Sequence, residues 1–158
     1  MMSFFIFQTF SLLAAMSTAF LAGIFFIFHN TVMVVLAEQS GMNIMKRINQ
    51  IIINKAFLLI FMLSPLSSLF VLIIGYSNKE LTLQSPLVMG AMLAIVSFFI
   101  TIRFNVPLNN RLEQEGENKG LMWQEYLVLW GHWNTRRFYL SAIACVAMYA
   151  EFIFGLCV

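Results

Sequence analysis

Two short segments hold most of the side chains in this sequence that could bind a ligand or take part in chemistry. Asn105–Arg111 reads Asn-Val-Pro-Leu-Asn-Asn-Arg, and Trp130–Arg136 reads Trp-Gly-His-Trp-Asn-Thr-Arg. Amide and guanidinium groups donate hydrogen bonds to oxygen atoms, and indole rings offer faces on which a flat ligand can stack. We therefore expect the two segments to form one polar cluster.

Each of these side chains also has a purely structural explanation. Asn side chains commonly satisfy backbone groups in turns, which would account for Asn105, Asn109 and Asn110. Arginines beside a membrane commonly hold lipid phosphates, and His132 would lie at the same interface. His29 is harder to explain in this way, because it lies roughly 10–12 Å inside the expected end of the first helix.

The composition shows which solvent surrounds this cluster. Of the 158 residues, 61% are apolar and only 10% are charged, and the mean hydropathy is +0.85. Soluble domains carry about 25% charged residues, so this chain has too little charge to cover a water-exposed surface. A net charge of +2 without a basic run also argues against a nucleic-acid-binding protein. The sequence predicts an integral membrane protein.

The apolar runs predict an all-α fold with one domain, residues 1–158. We expect an up-down-up-down bundle of four transmembrane helices at about 9–36, 51–75, 86–104 and 136–157. An amphipathic extension precedes the fourth helix, and Pro65 lies in the middle of the second. Proline removes a backbone donor, so we expect a kink at Pro65, the end of the third helix at Pro107 and a solvated loop over 108–120.

Basic residues indicate the orientation. Of the nine Lys and Arg residues, only Lys79 falls in the connection between the second and third helices. The other eight lie in the connections before the second and fourth helices: Lys46, Arg47, Lys55, Arg103, Arg111, Lys119, Arg136 and Arg137. The positive-inside rule then places both termini outside a bacterial inner (plasma) membrane. Nine of the ten Asn residues lie in or near the cytoplasmic half.

The amphipathic extension carries a stripe that continues into the fourth helix. Trp123, Leu127, Trp130, Asn134 and Arg137 alternate at spacings of four and three residues, which places them on one helical face. An inward stripe of rings followed by hydrogen-bond donors would suit a planar, lipophilic ligand with a carbonyl oxygen. An ordinary interfacial helix has the same pattern, so both interpretations stay open.

The two segments together resemble the anthrone oxygenase-like family of small four-helix integral membrane proteins. The matching pattern is Asn-x-Pro-x-Asn-x-x-Leu followed by Trp-x-x-Trp-Asn-x-x-Arg, and Phe28–Met33 and Met45–Asn49 with Asn54 resemble the signatures of the first two helices. The resemblance implies oxidation of an anthrone-like substrate by O2, with no cofactor and no metal. His29 stands where members often have a small residue, and Val34 follows Met33 where they often have proline.

The first hypothesis, which follows from this resemblance, is a cofactor-independent oxygenase acting on a lipophilic phenolic or quinoid substrate. A base removes an acidic C–H proton, amide donors stabilise the enolate oxygen, and the carbanion gives an electron to O2. The expected catalytic residues are His29, His132, Asn105 and Asn134. The expected substrate-binding residues are Asn49, Asn109, Arg111, Trp130, Trp133 and Arg137.

The second hypothesis is a non-catalytic membrane protein whose Asn, Arg and Trp cluster is a structural lock or binds a lipid, a quinone or a partner. An open cavity lined by histidine would favour the enzyme, whereas interlocked amides without a void would favour the lock. Haem-linked electron transfer through His29 and His132 is a third alternative, although no ligand-spacing motif supports it. Glu151 is a candidate proton-relay residue. The expected partners are membrane lipid, a lipophilic aromatic molecule and O2, and a homo-oligomer stays open.

Overall fold

The computed structural model describes residues 2–38, 41–77, 85–114 and 119–154, and these residues are helical almost throughout. The helices are α1 (Met2–Ile27), the π-helical segment π1 (Phe28–Val32), α2 (Met33–Glu38), α3 (Met42–Ile52), α4 (Lys55–Ser77), α5 (Pro86–Ile100), the π-helical segment π2 (Thr101–Asn105), α6 (Val106–Gln114) and α7 (Lys119–Phe154). Among the described residues, four continuous helical stretches are long and apolar enough to cross a membrane. They are Phe4–Glu38, Lys55–Ser77, Pro86–Gln114 and Gly120–Phe154, hereafter spans 1 to 4.

The four spans pack as a closed bundle, which confirms the predicted fold class. Span 1 packs against spans 2 and 4, and span 3 also packs against spans 2 and 4. Lipid tails are as apolar as leucine, so helices in a membrane associate through close contact and interhelical hydrogen bonds. Hydroxyl pairs supply such bonds: Thr18 with Ser64 joins spans 1 and 2 at 2.8 Å, and Ser97 with Ser141 joins spans 3 and 4 at 2.8 Å.

Spans 3 and 4 are in close contact at a glycine. A Cβ atom added to Gly90 would lie 2.7 Å from the Ala144 carbonyl oxygen and 2.7 Å from Cγ of Met148. The core around this point consists mainly of small side chains, including buried Ala91 and Ala94. Small residues at these positions let the two backbones come together.

The structure corrects the expected end of the third helix. The helix does not stop at Pro107, because α6 continues to Gln114, and α7 begins at Lys119. The predicted loop over 108–120 is therefore wrong for residues 108–114 and 119–120, and residues 115–118 lie outside the described part. The physical reason is π2, in which the Val106 N–H bonds to the Thr101 carbonyl five residues earlier. A proline ring clashes with the carbonyl four residues before it, here that of Arg103, and Arg103 lies in this widened turn.

The other helices also differ from their expected bounds. The helix that contains span 1 begins at Met2 and runs to Glu38, and it includes π1, which contains His29. The second predicted helix begins as the separate amphipathic helix α3, and Asn54 starts α4 by accepting hydrogen bonds from the Ala56 and Phe57 amides at 3.1 Å. Pro65 lies inside a continuous α4. The amphipathic extension is continuous with the fourth helix in α7, and residues 155–158 lie outside the described part.

The helical extensions at the end of the bundle that carries α2, α3 and α6 form a second hydrophobic core. Its buried members are Met33, Leu36, Met42, Met45, Leu112, Trp123, Tyr126 and Trp130. Trp123, Tyr126 and Trp130 of α7 thus face inward. A second core at this end fixes the ends of spans 1, 3 and 4, between which the polar residues lie.

Candidate functional site

A polar stripe runs along the inner face of span 3. Ser97, Thr101, Asn105 and Asn109 follow one another at intervals of four residues, and the first three are buried. An α-helix repeats every 3.6 residues, so a four-residue interval drifts around it, whereas the π turn closes over five residues and reduces this drift. The segment π2 therefore keeps the stripe directed into the bundle.

The facing stripe on α7 consists of Trp130, Asn134 and Arg137. Asn134 is fully buried, and its amide nitrogen donates to the carbonyl oxygen of Phe25 on span 1 at 3.0 Å. Its oxygen accepts two bonds from Arg137, from Nε at 3.1 Å and Nη2 at 2.9 Å. Trp123, Trp130, Asn134 and Arg137 of the stripe are buried, and Asn134 fixes the position of the Arg137 guanidinium.

Arg137 is a buried cation with only neutral neighbours. The residue is 6% exposed, its Nη1 donates to Thr101 Oγ1 at 3.4 Å, and its guanidinium carbon lies 4.2 Å from the centre of the Phe25 ring and 5.0 Å from that of Trp130. In the described part of the chain, no carboxylate oxygen lies within 4.0 Å of the Arg137 guanidinium. The ion pair found there joins Arg111 to Glu125. A guanidinium stays charged, and a buried charge without a counter-charge is costly. This position favours binding of a negatively charged or strongly polarised oxygen.

A cavity of about 230 Å³ lies against Arg137, between the four spans. Its walls are mainly aliphatic and aromatic, and its polar lining residues are Asn49, Thr101, Asn105, Asn109, Trp130 and Arg137. A mostly apolar pocket with a few converging polar groups is typical of a small-molecule site.

Three polar atoms of the lining residues have unused hydrogen-bonding capacity. Among the described side chains, the buried atoms without a partner are Ser68 Oγ and three from residues that line the cavity: Asn49 Nδ2, Asn105 Oδ1 and Trp130 Nε1. Asn49 lies beside the Tyr126 hydroxyl, which donates its own hydrogen bond to Asn109. The Asn49 amide nitrogen therefore keeps a free donor. Unsatisfied buried groups are rare in folded proteins, so their grouping here indicates a place for a ligand.

The structure brings together only some of the predicted site residues. Asn49, Asn105, Asn109, Trp130 and Arg137 all line the cavity. Asn109 also accepts a hydrogen bond from the Tyr126 hydroxyl at 2.8 Å. Asn134 lies directly behind Arg137 and holds it.

The remaining predicted site residues lie elsewhere. His29 is exposed, its Nδ1 is 2.9 Å from Thr135 Oγ1, and its ring stacks on Phe138. His132 is exposed and contacts the edge of Trp133. Neither histidine is among the residues that line the cavity.

Arg111 and Trp133 contribute to the outer surface of the same end. Arg111 is bound to both carboxylate oxygens of Glu125 at 2.9 and 3.1 Å. Trp133 stacks on Phe104 with ring centres 3.6 Å apart, and the Arg136 guanidinium lies 4.6 Å from the Trp133 ring.

Sequence reasoning missed Thr101 and the aromatic walls formed by Phe25, Phe28 and Phe61. The four-residue interval from Ser97 to Asn105 could have identified Thr101. No comparable signal marks the phenylalanines, because each is one apolar residue among many in an apolar span. At the opposite end, Glu151 accepts hydrogen bonds from the Ser85 hydroxyl at 2.8 Å and the Leu87 amide at 3.3 Å, which caps the start of α5.

Comparison with known proteins gives one match. The family model described as anthrone oxygenase matches residues 49–147, more than half of the chain. No curated protein and no solved structure matches the chain. The matched region contains every polar residue that lines the cavity, from Asn49 to Arg137, and does not include His29.

Proposed function

Because this chain belongs to the anthrone oxygenase family, we propose that it is an integral membrane enzyme that oxidises a lipophilic phenolic or quinoid substrate with O2 and without a bound cofactor. The observation that carries the proposal is Arg137, a buried cation without a carboxylate partner in the described chain, at the wall of a mostly apolar cavity. Fixed donors in a water-poor site stabilise negative charge more strongly than the same donors do in water.

In this proposal the carbonyl oxygen of the substrate lies against Arg137. When a C–H bond beside the ring system loses its proton, the negative charge moves to that oxygen as an enolate. Arg137, the Trp130 indole N–H and the Asn49 amide N–H then donate to the enolate oxygen. The site acts by making the substrate more acidic, since the described lining residues include no carboxylate and no imidazole. In this proposal a single water molecule at the polar inner end of the cavity takes the proton.

The oxidation balances without a cofactor. The enolate carbon gives one electron to O2, and the resulting carbon radical and superoxide combine to form a C–O bond. Protonation gives a hydroperoxide; its O–O bond then breaks, and the terminal OH leaves with the second hydrogen of the same carbon as one molecule of water. The net change is a CH2 group and O2 converted to a C=O group and water, so both electron pairs come from the substrate.

The proposed orientation follows the charge distribution. With both termini outside a bacterial inner membrane, the cavity lies near the cytoplasmic end of the bundle. The substrate then resides in the bilayer, and O2, which is apolar, reaches the cavity through the lipid.

The test is oxidation of anthrone by the purified protein in lipid nanodiscs. The quantities measured are O2 consumption and the absorbance of the quinone product. Trp130→Phe keeps an aromatic ring and removes the unpaired indole donor, so we expect turnover to fall by about 10-fold or more. Trp123→Phe is the matched control, because Trp123 is buried nearby and does not line the cavity. Wild-type protein that consumes no O2 with anthrone or a hydroxylated anthrone would contradict the proposal.

A second candidate function is ligand binding without turnover. It is favoured by the lack of any carboxylate or imidazole among the described lining residues. The cavity would then hold an anionic or quinoid ligand that stays unchanged. Binding of such a ligand without O2 consumption, in the same nanodiscs, would support this function.

A further inference from the structure

The cavity has a mouth formed by side chains on the outer surface of the bundle. On one side, Ile53, Leu58 and Met62 are 62%, 41% and 39% exposed, and on the other side Ile102 and Val106 are 44% and 37% exposed. All five also line the cavity. Each side chain thus contacts the cavity on one side and the surroundings of the bundle on the other.

The mouth lies largely on candidate membrane spans. Leu58 and Met62 lie in span 2 and Ile102 lies in span 3, and both spans are apolar enough to cross a membrane. The five side chains carry no strong hydrogen-bonding group, so a polar ligand that enters from water would lose its hydrogen bonds to water at the mouth without replacing them. Span 2 packs along α5, yet α4 makes few contacts with π2, and the two separate where the cavity opens.

The cavity changes in polarity from its mouth to its inner end. The mouth is aliphatic, whereas the inner end presents Arg137, Asn105 and the Trp130 indole N–H. A ligand that matches this gradient has an oxygenated end that points inward and a hydrocarbon end that points outward.

The volume limits how much of the ligand is enclosed. Pockets that bury drug-sized ligands measure about 300–1,000 Å³, and this cavity measures about 230 Å³. A small oxygenated ring system fits inside, and any longer hydrocarbon part must extend through the mouth.

We infer that the cavity takes a membrane lipid with a small phenolic or quinoid head and a hydrocarbon tail, which enters head first through the mouth between Leu58 and Ile102. The chemistry of the head rests on the proposed function, whereas the mouth and the tail rest on the exposure of the aliphatic lining. The tail stays in the bilayer beside span 2.

The experiment uses a photoreactive probe with wild-type protein in nanodiscs. The probe is 2-hydroxy-1,4-naphthoquinone with a dodecyl tail that carries a diazirine near the ring, and the labelled residues are identified by mass spectrometry. We expect labelling to concentrate on the mouth residues of α4 and π2 and to disappear when excess probe without the diazirine is present. Labelling spread evenly over the lipid-facing residues, or confined to α3 and α6, would overturn the inference.

Variants of the mouth make the test specific. Leu58→Trp and Ile102→Trp narrow the mouth from opposite sides. Each should lower, by about 10-fold, the labelling that excess probe without the diazirine suppresses in the wild type. Leu59→Trp is the matched control, because Leu59 is 66% exposed on the same helix and does not line the cavity. Equal labelling in all three variants would overturn the inference.

The two proposals fail in different ways. Labelling of the mouth by the probe requires no turnover, so mouth labelling without O2 consumption contradicts only the oxidase function. Anthrone oxidation together with exclusion of the tailed probe contradicts only the lipid-tail inference.

Discussion

At the scale of single residues, Arg137 and Asn134 distinguish a ligand site from a structural lock. Asn134 uses its oxygen for two bonds to Arg137 and its nitrogen for the Phe25 carbonyl, so it behaves as part of a lock. Arg137 is different, because its charge remains uncompensated within the described chain and it borders a void. A residue kept only for stability would be expected to have a carboxylate partner or to be replaced by an apolar side chain.

The first residue-scale prediction concerns Arg137→Gln. The affinity for 2-hydroxy-1,4-naphthoquinone, an anion at neutral pH, should fall by about 10- to 100-fold, because a hydrogen bond to a charged group contributes about 1.5–3 kcal/mol. Thermal stability in detergent should stay equal or rise, because the variant removes a buried unpaired cation. Both quantities can be measured on the same preparation by ligand titration and thermal unfolding.

The control for this prediction is Arg136→Gln. Arg136 is adjacent in sequence but exposed, and it lies over Trp133 outside the cavity, so the affinity should not change. A large loss of stability in Arg137→Gln with unchanged affinity would instead indicate the structural lock.

Residue-scale sequence reasoning succeeded where a polar side chain stands out from an apolar background. Asn105 and Arg137 were identified because an amide or a guanidinium within a membrane span requires an explanation, and Asn49 because it lies beside the expected start of the second span. The same reasoning assigned His29 and His132 as bases, a role that stays a prediction and that their exposed positions do not support. Which side of a helix faces a cavity depends on the rotation of that helix, and π1 changes this rotation just where His29 lies.

At the scale of helices, the two π-helical segments shape the site. Both π1 and π2 lie at the same end of the bundle, on spans 1 and 3, and both contribute lining residues through Phe28, Thr101 and Asn105. Single π turns within α-helices often occur at functional sites. The length of the apolar runs predicted the four spans, but neither apolar length nor periodicity marks the position of a π turn. The prediction that the third helix ends at Pro107 is therefore wrong, because the widened turn lets the helix continue past the proline ring.

The helix-scale prediction concerns the contact between spans 3 and 4. Gly90→Ala should lower the free energy of unfolding by about 1–3 kcal/mol, because the new Cβ would collide with the Ala144 carbonyl, which belongs to the backbone and cannot rotate away. Gly23→Ala is the matched control, since a Cβ at Gly23 has no atom within 4 Å and alanine favours helix by up to about 1 kcal/mol. Denaturation in mixed micelles measures both, and equal stability of the two variants would contradict the close approach.

At the scale of the whole molecule, polar and basic residues are concentrated at one end. Eight of the nine Lys and Arg residues belong to the half of the bundle that holds the cavity, and the helical extensions form their own core there. The other end carries Glu151, which caps α5. Composition and charge thus predicted the architecture and the end that holds the cluster, whereas the cavity itself depends on side-chain packing that periodicity does not encode.

The whole-molecule prediction concerns orientation. In a variant with both native cysteines replaced, Tyr76→Cys should react with a membrane-impermeant maleimide on intact cells, because Tyr76 is 81% exposed at the end opposite the cavity. Gln124→Cys, at the exposed cavity end of α7, should react only after the cells are lysed. The reverse pattern would place the cavity outside the cell and would contradict the positive-inside assignment.

Span 4 has the lowest mean hydropathy of the four candidate spans, and it carries the buried Arg137. A segment that leaves the translocon partitions into the bilayer according to its own hydrophobicity, and an arginine at the centre of a span opposes insertion by about 2.5–3.5 kcal/mol. Asn134 and Trp130 contact Arg137 from within span 4, whereas the Phe25 ring and the Thr101 hydroxyl belong to spans 1 and 3, which are synthesised earlier. Docking of span 4 on these partners therefore offsets part of the cost of placing Arg137 in the membrane, and the same docking encloses the cavity that Arg137 lines.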